Sequence, residues 1–152
     1  MKVSAKVDYA LRAAVQLAAA EDGASTKAEA IASAQDIPLK FLENILQGLR
    51  NGGLVTSRRG PDGGHALARP AAEITLADVI RAIDGPMANI GGRPPEDFVG
   101  PGTAAPLRDV WVALRAALRS VMEEVTLADV ASGNLPPVIE ELTGADGAWQ
   151  RR

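Results

Sequence analysis

The sequence predicts a mainly α fold: a helical domain carrying one small β-hairpin, followed by a long helix suited to dimerisation whose stripe is wide enough to touch the domain core as well. Three observations predict this. Of the 152 residues, 47% are hydrophobic but only 3% aromatic, which points to a helical, aliphatic, closely packed core. Residues 57 to 69 read SRRGPDGGHALAR, two short stretches around a glycine-rich turn, the pattern of a hairpin. Finally, Leu107, Trp111, Leu114, Leu118, Val121 and Val125 recur at spacings of 4, 3, 4, 3 and 4, a heptad seam suited to pairing with another helix.

The elements follow in order. From Ser4 to about Ala20, the residues Val7, Ala10, Leu11, Ala14, Val15 and Ala18 form one helical face, and Glu21-Asp22-Gly23 ends it. Ser25 or Thr26 caps a second helix, with Glu29 completing a capping box on Thr26, and that helix runs to about Ala34. Pro38 suits the first turn of a third helix, whose inner face is Leu42, Ile45, Leu46 and Leu49 and whose stop is Asn51-Gly52-Gly53. Leu54–Arg58 and His65–Arg69 are the hairpin strands, and Ile74–Ile83 is a short helix capped by Thr75. Residues 85–106 are dense in glycine and proline and form a long loop. The heptad helix follows, with Val110 and Met122 widening its stripe, then short helical pieces at Thr126–Ala131 and Pro136–Leu142. No internal repeat is read along the chain. The expected organisation is residues 1–84 as one domain, 85–106 as a loop, 107–143 as a dimerisation helix with a C-terminal helical segment, and 144–152 as a tail.

Several function classes are excluded or made remote. With no cysteine the chain has no disulfide, no thiol nucleophile and no thiolate ligand for zinc or an iron–sulfur cluster. One histidine and scattered acids, with no serine in a nucleophile elbow, give no catalytic constellation, so no enzyme, metal or cofactor is expected. Asp8, Arg12 and Gln16 interrupt the apolar N-terminal stretch, so neither a signal nor a membrane helix is expected and the predicted location is cytoplasmic. Residues 1–70 hold nine Lys/Arg against seven Asp/Glu, whereas residues 71–152 hold seven against twelve. A polyanion would therefore meet the first half.

Three helices followed by a hairpin is the order of a winged helix-turn-helix, in which the third helix enters the DNA major groove and the wing reaches the adjacent backbone or minor groove. The outer face of the third helix carries suitable groups. Asn44 and Gln47 can donate and accept at base edges, Glu43 can accept from cytosine, and Lys40 and Arg50 can meet phosphate or guanine. In the wing, Arg58 and Arg59 flank a turn where Gly63 and Gly64 allow close approach, as a phosphate or minor-groove probe requires. A solvated helix surface and a soluble hairpin tip are the plain alternatives.

MKVSAKVDYALRA, IPLKFLENILQGLRNGGLVTSRRGPDGGHALARP, ITLADVIRAIDG and the VW…L…VTLADV run resemble the Rrf-two (Rrf2) family of bacterial transcription regulators, over roughly residues 1–130. The family includes iron–sulfur, nitric-oxide and cysteine-metabolism regulators. The resemblance implies a homodimer, with the long helix crossing to the partner, bound to a palindromic operator in double-stranded DNA and acting as a repressor. It further implies operator contacts at Lys40, Phe41, Glu43 and Asn44, a minor-groove arginine at Arg59, and N-terminal backbone contacts at Ser4 and Lys6. His65 takes the place of a wing residue that is often tyrosine. Cluster-binding relatives carry three cysteines before the long helix. Here that loop has none, and Ala105 and Arg108 stand where a cysteine and a histidine ligand would lie. Asp8 matches a carboxylate ligand of some nitric-oxide sensors, and its plain reading is a charge at a helix N-terminus. Control through a small-molecule or protein effector stays open, with the loop around Arg93–Phe98 as the candidate contact for a partner protein.

Overall fold

The computed structural model describes residues 3–21 and 24–151. Asp22 and Gly23, expected to end the first helix, lie outside the described residues.

The first helix, α1 (Ala5–Ala18), begins at Ser4, whose hydroxyl accepts the Val7 amide at 3.1 Å, and it buries Val7, Ala10, Ala13, Ala14 and Leu17. Alanines on this face let neighbouring helices approach closely. The second helix, α2 (Ala28–Gln35), departs from expectation at its start: its cap is Lys27, with no side-chain cap, so the Thr26–Glu29 capping box does not form. Thr26 is engaged elsewhere. Its backbone amide donates to the His65 carbonyl at 2.8 Å and its carbonyl accepts from His65 at 2.7 Å, which holds it extended beside the wing.

The third helix, α3 (Leu39–Asn51), follows Pro38 at the cap position and buries the expected face of Leu42, Ile45, Leu46 and Leu49. Strands β1 (Val55–Arg58) and β2 (Gly64–Leu67) pair antiparallel with Ser57 opposite His65 and Arg58 opposite Gly64. Gly64 has φ +150°, and a Cβ there would sit 2.6 Å from the Thr26 carbonyl oxygen, while a Cβ on Gly63 would overlap the Arg58 carbonyl. Both glycines are thus demanded by the packing of the wing itself, a reason additional to any approach by DNA. A 3-10 turn at Ala71–Glu73 leads into α4 (Leu76–Asp84).

The loop after α4 is ordered around a 3-10 turn at Pro95–Asp97, with Pro95 buried, and a second at Gly102–Ala104. The long helix α5 (Leu107–Met122) buries no residue within the protomer, although Trp111, Leu114, Leu118 and Val121 are half-covered. Helix α6 (Leu127–Ser132) and helix α7 (Pro137–Thr143) complete the fold. No described helix is long and apolar enough to cross a membrane.

Two expectations need correction at the end of α5. Val125, placed on the heptad seam, lies beyond the helix and is 2% exposed in the chain's own core. A repeat is also present. The pentapeptide TLADV occurs at 75–79 and again at 126–130, and each copy builds the same capping box, Thr75 with Asp78 and Thr126 with Asp129. The copies meet as an antiparallel bridge. The Leu76 amide donates to the Val125 carbonyl and the Leu127 amide to the Ile74 carbonyl, both at 2.9 Å. Ile74, Val125 and Leu127 are buried at this junction, and Leu127 belongs to the same hydrophobic core as α1 to α4. A division at residue 84 therefore does not separate two cores, because α6 returns to the first.

Candidate nucleic-acid interface

Helix α3 owes its orientation to its inner leucines and isoleucine, so the residues between them must face outward. Lys40, Phe41, Glu43, Asn44 and Gln47 are all exposed, Phe41 at 62%. An exposed phenylalanine loses apolar contact it could otherwise have, and a partner surface that covers it restores that loss. Lys6 joins this face: Lys6, Tyr9, Phe41 and Asn44 line one groove between the start of α1 and α3. Tyr9 was not singled out from sequence. The signal lies in its position three residues after Lys6, on the same side of α1.

The outer face of α3 divides into two parts. No hydrogen bond or ion pair among the described residues engages Lys40, Glu43, Asn44, Arg58 or Arg59, so their polar groups are available to a ligand. Gln47 and Arg50 are instead engaged. Gln47 donates to the Asn51 side chain at 2.8 Å, and Arg50 donates both to the Gln47 side-chain oxygen and, at 2.8 Å, to the Ser57 hydroxyl. Arg50 is thereby a brace between the last turn of α3 and the first wing strand. Two of its five N–H donors are used in this brace, so any DNA contact it makes would come from the remaining ones.

In the wing, Arg58 ends β1 and Arg59 opens the turn, both exposed. His65 lies at the middle of the wing, between Ser57 on one side and Thr26 on the other. Its ring is half-buried, and Nδ1 is buried without a hydrogen-bond partner among the described residues. Burial first, and then the Arg50 charge, push its pKa below the ordinary 6.5, with Glu29 opposing. Burial and the Arg50 charge thus both favour the neutral imidazole.

Ser4 is separated from the groove. Its hydroxyl donates to Asp84 at 3.1 Å while accepting from Val7, which turns it toward the end of α4. Asp8 pairs with Arg12 at 3.0 Å. Arg12 also donates to the Gln35 carbonyl at 2.7 Å and lies 4.8 Å from the Tyr9 ring centre, locking α1 against the end of α2.

The chain has no cysteine and its one histidine is in the wing, and no group of three His, Asp or Glu able to hold an ion occurs among the described residues. Iron–sulfur clusters require several thiolates, or imidazoles replacing some of them. The residues present do not fit such a group.

Comparison with known proteins bears on the family and the fold. The model of the Rrf2 family, described as an iron-dependent transcriptional regulator, matches residues 3–133. A Mycobacterium tuberculosis protein described as a helix-turn-helix type transcriptional regulator is 53% identical over 144 residues, covering 93% of this chain and 88% of its own length. The regulator CymR of Bacillus subtilis is 33% identical over 132 residues, covering 87% and 91%. Among solved structures, that of B. subtilis CymR, the global cysteine regulator, superposes with a TM-score of 0.75 at 31% identity, covering 88% of this chain and 98% of that one. The structure of T. potens IscR gives 0.71 at 30% identity, covering 88% of each chain.

Proposed function

The chain belongs to the Rrf2 family of transcriptional regulators, and on that premise we propose that it is a homodimeric repressor of a palindromic operator that carries no iron–sulfur cluster. It is a winged-helix DNA-binding regulator and not an enzyme. In the proposed complex, Lys40, Phe41, Glu43 and Asn44 face the major groove, Lys6 meets the flanking backbone, and Arg59 enters the minor groove with Arg58 on a phosphate. The observation that carries this reading is the division of the α3 surface: its first two turns present polar side chains with no partner among the described residues, while its last turn is braced to the wing.

Dimerisation is proposed through α5, with residues 1–84 and the returning α6 forming the DNA-binding part. An amphipathic helix that buries nothing in its own protomer is short of a partner, and Leu107 (40% exposed) and Val110 (54%) are left in solvent. Action in the cytoplasm, on double-stranded DNA and under an effector that is a small molecule or a protein, completes the reading. Genome-wide footprinting of the bound protein tests it. One recurrent palindrome upstream of genes is the expected result, and featureless binding that follows DNA concentration alone would refute it.

A further inference from the structure

Between the end of α4, the 85–106 loop and α5 lies a recess of about 180 Å³ in which three guanidinium groups converge: Arg81 from α4, and Arg115 and Arg119 from successive turns of α5. Like charges four residues apart on one helix repel, and a third placed on the facing helix adds to the cost unless anions answer it. Part of the answer is internal. Glu123 pairs with Arg81 and, at 3.5 Å, with Arg119, and Asp78 lies 3.7 Å from Arg81.

Arg115 is the least exposed of the three, with 20% of its side chain accessible, and it is held by Glu96 at 2.5 Å. Glu96 comes from the 3-10 turn of the loop, and its own side chain is 55% exposed. Its carboxyl is held below the usual carboxylate range by its own backbone amide first and then by the Arg115 hydrogen bond and the charges of Arg115 and Arg119. A carboxylate tethered by a glycine- and proline-rich loop thus occupies a seat built from rigid helices. Asn89 adds an amide to the same wall and Met87 an apolar surface.

We propose that this recess is a binding site for a small organic carboxylate, which takes the place of Glu96 on Arg115 and so removes the ion pair that ties this turn of the loop to α5. The chemistry of the seat favours this class. Guanidinium groups recognise planar oxyanions through paired N–H donors, the resident group is itself a carboxylate, and the Met87 side suits a short carbon chain. A diacid can engage two of the arginines at once. Binding at this recess does not depend on the DNA-binding reading, whereas any effect of the acid on operator affinity does.

The test uses the full-length protein carrying Trp149→Phe, which leaves Trp111, one turn before Arg115 on α5, as the fluorescence reporter. Succinate is titrated, with inorganic phosphate as the comparison and calorimetry as a second readout. Saturable succinate binding is expected, weaker by about tenfold or more in Arg115→Gln, where a charge-assisted contact is lost. Glu96→Gln should bind about threefold more tightly or better, because an internal competitor reduces apparent affinity by the fraction of time it occupies the site. Arg119→Gln, checked with Arg115→Gln for an unchanged melting curve, serves if the first variant misfolds. No binding to Glu96→Gln by either readout, or equal affinity for phosphate and succinate, would overturn the proposal.

Discussion

The Arg50 guanidinium donates to the Ser57 hydroxyl at 2.8 Å, so the last turn of α3 and the first strand of the wing are joined by a side-chain contact as well as by the chain. Arg50 also holds the side-chain oxygen of Gln47. In the proposed complex, two elements fixed at one relative angle lose less freedom on binding than two that must be ordered separately. Ser57→Ala should therefore weaken operator binding several-fold while leaving the slope of log affinity against log salt unchanged, since no phosphate contact is removed. Fluorescence anisotropy across a salt series checks this. A reduced slope would show that Ser57 or Arg50 meets phosphate directly.

Arg59→Ala should behave differently. Losing a phosphate-proximal cation lowers both the affinity and the salt slope, the slope by about one unit. Asn44→Ala should instead relax discrimination at one operator position by about 1–3 kcal/mol, the worth of a good bidentate base contact. Binding to a panel of single-base operator variants separates the two, and a uniform loss in the Asn44 variant would remove that residue from base readout.

The depressed pKa of His65 carries a defined pH dependence. The unfolded chain takes up this proton near pH 6.5, whereas the folded wing resists it because burial and Arg50 disfavour the charge. The unfolded state therefore binds more protons as pH falls below 6.5, and stability is lost from there down through the lowered folded value. His65→Gln should flatten this part of the curve. Urea melts at several pH values between neutral and mildly acidic would reveal it, and parallel curves for both proteins would contradict the assignment.

Dimerisation and core packing can be told apart at two positions of the heptad pattern. Leu118→Glu, on half-covered α5, should convert a dimer to a monomer in analytical ultracentrifugation with the fold retained. Val125→Ala should leave the dimer intact and destabilise the protomer by about 1–3 kcal/mol, as loss of buried methyl groups does. A dimer that survives Leu118→Glu would rule out α5 as the interface.

The paired caps predict matched effects. Thr75→Ala and Thr126→Ala each remove a capping side chain and should each cost about 1 kcal/mol. The Thr126 variant should also loosen the return of α6 to the core. Hydrogen exchange at the Leu127 amide, which donates across the bridge to Ile74, checks this: protection should fall there before it falls at Leu46.

Most of the reader was legible in the sequence because its signals are local. The inner face of α3 is a 3.6-residue pattern, the wing is marked by its glycines, and Thr75 announces its helix. What was illegible depended on distant partners. Thr26 and Glu29 satisfy the spacing of a capping box, but pairing with His65 takes the Thr26 backbone and the box is lost. Arg50 has the chemistry of a phosphate contact, and only the fold brings Ser57 within reach. Val125 fits the heptad by number, yet the helix ends at Met122 and a buried junction claims the valine. The twin TLADV segments were readable in principle. They lie 51 residues apart, judged from their first positions at 75 and 126, and no solenoid period drew attention to them.

That junction has an architectural consequence. The chain leaves the body formed by α1 to α4 at Gly85 and re-enters it at Val125, and the re-entry is fastened by a backbone bridge and by the buried side chains of Val125 and Leu127. The 40 residues from 85 to 124 are in effect a cartridge clipped into a permanent socket. The residues carried by such a cartridge can change without altering the backbone bridge that closes the socket. A fold described by its dependence on iron can thus be worn by a chain that has no sulfhydryl group to offer.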